Sequence, residues 1–496
     1  MIRLFLFPIL AALLTVFSQA AERRPNIIFF LVDDMGWQET SVPFHTETTA
    51  LNRRYRTPNM ERLAASGMKF TQAYAYAVCS PSRISALTGM SAARHRVTNW
   101  TLRKNTSPDQ PNKSVAPPDW NLNGITVDSG VEHTTRVTPL PSLLREAGYR
   151  TIHVGKAHFG AKGTPGENPL HFGFDVNIAG HAAGGPGSYW GLKNFSAAWR
   201  TNPPDRIWDV PGLDAYHGKD IYLTEALTLE AIKAVEASVA AKSPFYLYMS
   251  HYAIHAPWEK DDRFYQKYIS TGLKPAEATL ASMIEGMDKS LGDLMATLDR
   301  LGIADNTVIL FMSDNGSPSQ CPRNLPLRGH KLSPYEGGPR VPMIVKWPGT
   351  VKPGSLCNDP LIIEDYFPTL LEIADAGWRG KTLQPVDGIS FVPLLRQTGH
   401  TPADRPFVWH FPHQYGQAPF SSIRQGDWKL IHNHTDNSRE LYNIAADIGE
   451  TRNLAGENPG KARELAVLLA TRLRSMNALM PVSKATHRPL PFTDTP

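Results

Sequence analysis

The chain has 496 residues, 42% of them hydrophobic and 20% charged, a normal globular mix that allows a sizeable core and one very large domain or two or three ordinary ones. A formal charge of +5 is mild: it permits an anionic substrate, and with no basic stripe interleaved with aromatics it gives no ground for a nucleic-acid partner. Three cysteines are too few for disulfides to be the main support of the fold.

Met1-Ile2-Arg3, an apolar run over residues 4–17 and then Ser18-Gln19-Ala20 read as a secretory signal peptide cut after Ala20. The run is too short to span a bilayer, so no membrane span is expected and the mature chain belongs in the periplasm or outside the cell. Cys321 and Cys357 are open to pairing in that oxidising setting or to remaining free thiols.

Pro25 to Val32 is continuously apolar, as in a central strand buried on both faces, and it ends on Asp33-Asp34. Two adjacent carboxylates at the end of a buried strand repel each other unless a cation joins them. Residues 57–68 predict a helix with Pro58 in its first turn, and residues 68–74 a short strand that delivers the chain to Ala77-Val78-Cys79-Ser80-Pro81-Ser82-Arg83. A helix begins near Ile84, so Cys79 falls at a strand-to-helix junction, where N–H groups and the helix dipole favour a developing anion. On its own the pentapeptide from Cys79 to Arg83 fits a reactive thiolate or an ordinary buried cysteine equally.

Residues 99–135 are rich in Pro, Asn, Asp and Ser and predict a long loop. A helix around residues 140–147 leads to the strand 149–154 and then to Gly155-Lys156-Ala157-His158, where Lys156 and His158 project the same way. The glycine-rich residues 177–189 lack the setting of a phosphate loop and predict a loop on the substrate side. A helix over 223–241 precedes the strand 244–250, which ends at Ala253-Ile254-His255-Ala256-Pro257. The stripe Leu280, Ile284, Met287, Leu291, Leu294, Leu298 is a core helix face, and the strand 307–312 closes on Ser313-Asp314-Asn315-Gly316. Leu327-Arg328-Gly329-His330-Lys331, Tyr335-Glu336-Gly337-Gly338 and another apolar strand over 341–345 follow.

Strands alternating with helices, each strand ending in polar residues, predict an α/β fold: a large, mostly parallel central sheet flanked by helices, with ligands at the carboxyl edge. From about Pro385 short strand-like pieces at 407–410, 421–424, 428–431 and 440–442, then a helix over 461–476, predict a smaller α+β subdomain with a short antiparallel sheet. The expected divisions are residues 1–20, a catalytic domain over 21–385 and a C-terminal subdomain over 386–496.

Asp33, Asp34, Asp314 and Asn315 are hard oxygen donors suited to calcium ahead of magnesium. Arg83, Lys156, His158, His255 and Lys331 around such a cation would make a receptor for a tetrahedral oxyanion, with Cys79 in the nucleophile's place.

The run from Cys79 to Arg83 with Leu87-Thr88-Gly89 resembles the signature of the type I, formylglycine-dependent sulfatases. The resemblance extends through Val32-Asp33-Asp34, Gly155-Lys156-Ala157-His158, Ala253 to Pro257, Ser313 to Gly316, Leu327 to Lys331, Tyr335 to Gly338, Gly426-Asp427-Trp428-Lys429-Leu430 and Glu440-Leu441-Tyr442-Asn443. It implies the alkaline phosphatase-like fold, Cys79 oxidised to formylglycine by a maturation enzyme, and calcium held by Asp33, Asp34, Asp314, Asn315 and the modified Cys79. It also implies hydrolysis of a sulfate ester. Lys156, Lys331 and Arg83 would then hold the sulfate or the hydrate. One hydrate hydroxyl would attack sulfur, His255 would be the acid for the departing alcohol, and His158 would help take the proton that expels sulfate. Met90, Ala157 and Ile254 depart from the usual pattern, the last two at positions expected in the pocket walls. A phosphate, phosphodiester or phosphonate hydrolase of the same fold, an arylsulfatase for small aryl substrates and an exported glycan-binding protein are the alternatives. Asn99, Trp100, His181, Tyr189, Trp190, His410 and His413 are candidates to line a sugar pocket, for a sulfated carbohydrate such as a galactose or N-acetylgalactosamine unit.

Overall fold

The computed structural model describes residues 24–200, 203–318 and 323–494. The expected signal peptide and Cys321, and with Cys321 the question of its pairing with Cys357, lie outside the described residues. Among the described residues no helix is long and apolar enough to cross a membrane.

Strands β1 (Asn26–Val32), β2 (Met68–Tyr74), β3 (Arg150–Gly155), β4 (Val176–Ile178), β5 (Phe245–Ser250), β6 (Thr307–Ser313), β7 (Arg340–Lys346), β8 (Ser355–Cys357) and β9 (Leu361–Ile362) form one sheet. Its order is β8-β2-β7-β6-β1-β5-β3-β4, with β9 also on β2. Only β7 runs against its neighbours β6 and β2; every other pairing is parallel. The sheet is therefore mostly parallel, as the alternation of strands and helices predicts.

The alternating side chains of β1 enter two different cores, which is why the strand reads as unbroken apolar sequence. Ile27, Phe29 and Leu31 pack with helices α2 (Cys79–Thr88), α3 (Leu140–Glu146) and α6 (Tyr366–Ile373) on one face. Ile28, Phe30 and Val32 pack with α1 (Pro58–Ser66), α4 (Leu223–Ala240) and α5 (Pro275–Arg300) on the other. The Met and Leu stripe of α5 lies in that second core, as its spacing requires.

A separate antiparallel sheet, β10 (Pro406–Phe411), β11 (Phe420–Gln425), β12 (Trp428–Asn433) and β13 (Arg439–Asn443), is covered by α7 (Pro459–Ser475) through Leu465, Leu469 and Leu473. Residues 99–135 are less featureless than expected. Gly124–Thr126 pairs in parallel with Thr134–Arg136, and Val115–Ala116 pairs with Val482–Ser483 near the C-terminus. These pairings are two or three residues long, below the length at which a hydrophobic period can be read.

Candidate active site

The carboxyl ends of β1, β3, β5 and β6 converge, and each releases polar residues at one edge. Asp33 and Asp34 follow β1, with Asp34 at φ +64; Lys156 and His158 follow β3, His255 follows β5, and Asp314 and Asn315 follow β6. The chain can turn directly from β3 to Lys156 because Gly155 has φ +100 and lies against Ser250, where a Cβ would come within 1.9 Å of the carbonyl oxygen.

Lys156 Nζ donates to Asp33 Oδ2 at 2.6 Å and Lys331 Nζ to Asp34 Oδ1 at 2.6 Å. Arg83 donates through Nε to Asp314 Oδ2 at 2.9 Å, with Nη2 2.8 Å from the same oxygen. Asn315 Nδ2 donates to Asp34 Oδ1 at 2.7 Å. Three buried carboxylates thus face three cations, which satisfies the requirement that buried charge be paired. Burial and the neighbouring Asp314 carboxylate push Asp33 well above the usual range. For Asp34 burial acts in the same direction, but Lys331, His255 and Lys156 together outweigh it and hold the group low.

Asp33 Oδ1 and Asn315 Oδ1 are buried with no hydrogen-bond partner. Ligand atoms of Asp33, Asp34 and Cys79 lie within 4.8 Å of one another. Orphaned hard oxygens beside paired carboxylates are a donor set that fits a divalent cation such as calcium.

Cys79 is the first residue of α2, whose N-cap, Val78, supplies no side-chain hydrogen bond. Burial pushes its thiol above its ordinary value, against the pull of Lys156 and Lys331. An unmodified Cys79 is therefore held as the thiol, which weighs against its being a reactive thiolate.

Cys79 opens onto a cavity of about 340 Å³. Asp34, His158, His255 and Lys331 line it with Cys79, and Trp100, Trp208, Trp258 and Tyr415 form its aromatic walls. His158, at φ +60, bonds the Thr101 carbonyl through Nε2 at 2.8 Å and leaves Nδ1 buried without a partner. A carbonyl can only accept, so Nε2 carries the proton and Nδ1 the lone pair. His255 bonds the Ala256 carbonyl through Nδ1 at 2.7 Å, while its Nε2 lies 3.9 Å from Asp34 Oδ2. Burial and the Lys156 ammonium depress His158 well below the usual imidazole range; burial and Lys331 bring His255 to about 3. The glycine-rich loop touches both rings. A Cβ on Gly184 would lie 2.4 Å from His158 Cε1, and one on Gly185 2.7 Å from His255 Nδ1.

Several expected residues are placed elsewhere. Arg83 is fully buried behind the carboxylates, its Nη1 bonded to the Lys156 carbonyl at 3.1 Å and to Ser250 Oγ, so it holds Asp314 and does not line the cavity. His410 is buried in the C-terminal sheet between Ser421 Oγ, at 2.7 Å, and the Leu479 carbonyl, at 3.0 Å. His413 is buried between Thr98 Oγ1, at 2.7 Å, and the Asp109 carboxylate. Both imidazoles are used up in internal hydrogen bonds. Asn99 is buried beside Trp100 with Nδ2 unpartnered, and His181, which gives its carbonyl to His158 N, does not line the cavity. Tyr189 bonds the Tyr252 and His255 carbonyls from behind the His255 turn, and Trp190 packs edge-on against Tyr222. Ala157 and Ile254, expected in the pocket walls, are core residues. Trp208, Trp258 and His330 line the cavity without a periodic signal; His330 lies within the Leu327-to-Lys331 motif and Trp258 follows the His255-Ala256-Pro257 turn, whereas Trp208 stands beside no recognisable motif.

The family model described as Sulfatase matches residues 25–376, and one described as N-sulphoglucosamine sulphohydrolase, C-terminal, matches residues 330–478. A protein named "Sulfatase" from Formosa agariphila is 30% identical over 95% of this chain and 93% of its own length. The N-acetylgalactosamine-6-sulfatase of Rattus norvegicus is 30% identical over 91% of this chain and 79% of its own. Among solved structures, Ps i-CgsB in complex with k-i-k-neocarrahexaose superposes with a TM-score of 0.73 at 26% identity, covering 91% of this chain and 93% of that one.

Proposed function

Because the chain belongs to the sulfatase family and is a sulfuric ester hydrolase, we propose that it cleaves sulfate esters of a carbohydrate, using a formylglycine made from Cys79 and a bound calcium ion. The observation that carries this reading is the placement of Cys79 at the start of α2, facing the cavity beside one carboxylate oxygen, Asp33 Oδ1, and one amide oxygen, Asn315 Oδ1, that are buried and unpartnered.

Asp33, Asp34, Asp314, Asn315 and the modified Cys79 would hold the calcium, which supplies positive charge for the sulfate oxygens to meet. The hydrated aldehyde offers two hydroxyls where a serine would offer one. Around it, Lys331 and Lys156 fix the carboxylates and add positive potential at the cavity floor. Arg83 acts one step removed, fixing Asp314. His158, neutral with its lone pair on Nδ1, is suited to accept a proton. His255 bonds the Ala256 carbonyl through Nδ1, so the Nε2 face is left for the leaving oxygen. To serve as the acid it must be protonated, and the negative charge of a bound sulfate ester opposes the influences that depress it.

Carbohydrate as the substrate is supported by four aromatic side chains on the cavity wall and by a relative named for N-acetylgalactosamine 6-sulfate chemistry. Galactose or N-acetylgalactosamine is the favoured unit. Export through residues 1–20, and modification of Cys79 by a maturation enzyme before the segment is buried, complete the proposal.

Mass spectrometry of the Cys79 peptide, from protein produced with a maturation enzyme, tests the mechanism. A plain thiol in protein that still cleaves sulfate esters at full rate refutes it. Comparison of 4-nitrophenyl sulfate and sulfated sugars with their phosphate analogues tests the reaction class, and a preference for phosphate would overturn the sulfate ester as substrate.

A further inference from the structure

Gly184 and Trp208 both line the cavity wall, and a turn over residues 186–200 lies between them in sequence. Trp208 is held there with Trp100 against Leu102, Ala183 and Ile207, a small apolar cluster beneath the cavity rim. The intervening turn is firmly tied. Ser196 Oγ and Ala197 N both donate to Asp209 Oδ1 at 2.7 Å, and Arg200 Nη2 donates to the Pro186 carbonyl at 2.8 Å. Lys193 pairs with Glu259, whose other oxygen accepts from Ser188 Oγ and Tyr189 N at 2.6 Å each. Glu259 adjoins Trp258, on the cavity wall.

The crest of this turn carries Trp199, 52% exposed, with Leu192, 60% exposed. Lys193 Nζ stands 4.5 Å from the Trp199 ring centroid and Arg200 Cζ 5.8 Å from it. Trp199 is therefore half open to water with two cations over its ring, an arrangement complementary to a ligand that carries both apolar C–H surface and negative substituents. A sulfated sugar has both properties, and the turn is tied through the Lys193–Glu259 pair to the residue next to Trp258 on the wall of the cavity where such a sugar would react. A carboxylate-bearing protein surface would satisfy the cations but would leave the exposed part of the indole uncovered.

We propose that the Lys193–Trp199–Arg200 turn is a second sugar subsite, which holds another unit of an anionic polysaccharide while the reacting sulfate lies at Cys79. This rests on the carbohydrate reading above and sharpens it: the substrate is a chain and not a free monosaccharide. None of the three residues touches the reacting atoms, so the turn contributes through binding alone.

The test compares wild type, Trp199→Ala and Trp199→Phe on 4-nitrophenyl sulfate, on sulfated monosaccharides, and on ladders of sulfated galactan and galactosaminoglycan oligosaccharides. The expected result is a KM raised roughly tenfold for the longer oligosaccharides in Trp199→Ala, largely restored in Trp199→Phe, with kcat and all constants for 4-nitrophenyl sulfate unchanged. Lys193→Gln combined with Arg200→Gln should flatten the dependence of that KM on ionic strength. Equal KM values for wild type and Trp199→Ala at every chain length overturn the subsite and leave the sulfatase activity standing. Wild-type protein that cleaves 4-nitrophenyl sulfate but no sulfated sugar overturns the carbohydrate reading and the subsite together. A dimer that Trp199→Ala dissociates, with chain-length dependence untouched, overturns the proposal in favour of a second copy of the chain.

Discussion

Lys429→Met removes a single ammonium from beneath the loop that carries Lys331, and its cost depends on pH. Lys429 Nζ lies 2.9 Å from Glu336 Oε1 and 3.0 Å from Glu450 Oε1, and all three side chains are fully buried. Two carboxylates share one lysine, and their environments drive them apart. Burial works to raise Glu336, but Lys429, Arg340 and Arg424 reverse this and leave it at about 2. Burial raises Glu450 to about 7 against the pull of Lys429. At pH 5.5 the wild-type pair therefore carries one negative charge, and the methionine variant leaves that charge with Arg340, whose Nη1 is 3.3 Å from Glu336 Oε2. Breaking one buried ionic contact in this way costs about 3 kcal/mol. Above pH 7 wild-type Glu450 ionises, whereas in the variant, without the ammonium, it stays protonated to higher pH. The variant's native state then binds the extra proton, so its stability falls relative to wild type by about 1.4 kcal/mol per pH unit. Between pH 7 and 8.5 this adds about 2 kcal/mol, giving about 5 kcal/mol in all. Urea unfolding followed by tryptophan fluorescence at pH 5.5 and 8.5 measures the difference, and adding Glu450→Gln to the variant should abolish it. A loss that is the same at both pH values, or below about 1 kcal/mol at either, refutes the shared-proton account.

Three further outcomes are expected. Gly155→Ala should lower the melting temperature by several degrees and cut kcat/KM, because its Cβ would meet the Ser250 carbonyl at 1.9 Å and move Lys156; an unchanged melt with full activity would contradict the tight β3-to-Lys156 turn. Burial, then the Asp365 carboxylate, raises Glu364 to about 8, so native protein keeps that proton while unfolded protein loses it near the ordinary value. This stability is fully present below pH 4.5 and lost as pH rises towards 8; Glu364→Gln should therefore raise the melting temperature at pH 8.5, leave it unchanged at pH 4.5, and fail the reasoning if the gain is the same at both. Chelation should abolish sulfate-ester cleavage, and calcium should restore it better than magnesium while raising the melting temperature; Asp33→Asn should lose that thermal shift, and wild-type protein indifferent to chelator would rule out the metal.

Much of the fold was readable because its determinants are local. β1 reads as unbroken apolar sequence since alternate side chains enter two cores, and α5 reads as a stripe since one face is buried. The polar residues gathered at the sheet edge were readable for a related reason: Asp33, Lys156 and Asp314 directly follow buried strands and His255 comes five residues after one, so parallel topology brings them to one end. The cavity walls obey no such rule. Trp208 and Trp258 arrive on irregular segments whose course is set by contacts such as Asp209 with Ala197 and Glu259 with Tyr189. His410 and His413 stand away from the cavity wall, which was not legible because sequence does not reveal whether an imidazole finds a partner inside, as these do in Ser421 and Asp109. The partner of Arg83 was equally hidden: on a helix beginning at Cys79 it lies one turn on and reaches back to Asp314.

The C-terminal sheet, legible in the change of texture near Pro385 as a smaller α+β subdomain, also clamps the loop that delivers Lys331. Lys429 on β12 holds Glu336, Glu440 on β13 accepts from Tyr335, and Tyr442 accepts from Arg328 at 2.9 Å. Glu450 takes the Glu336 backbone N–H at 2.6 Å, and Arg424 on β11 bonds Tyr74 at the end of β2. The Glu336 and Lys429 motifs lie far apart in sequence and have no meaning singly, but they meet as one buried ion pair. A fold that must hold Lys331 Nζ at 2.6 Å from Asp34 Oδ1 cannot leave its loop supported only by its own turn. The second sheet supplies that support, through buried ion pairs that join residues on either side of position 385 beneath the loop carrying Lys331.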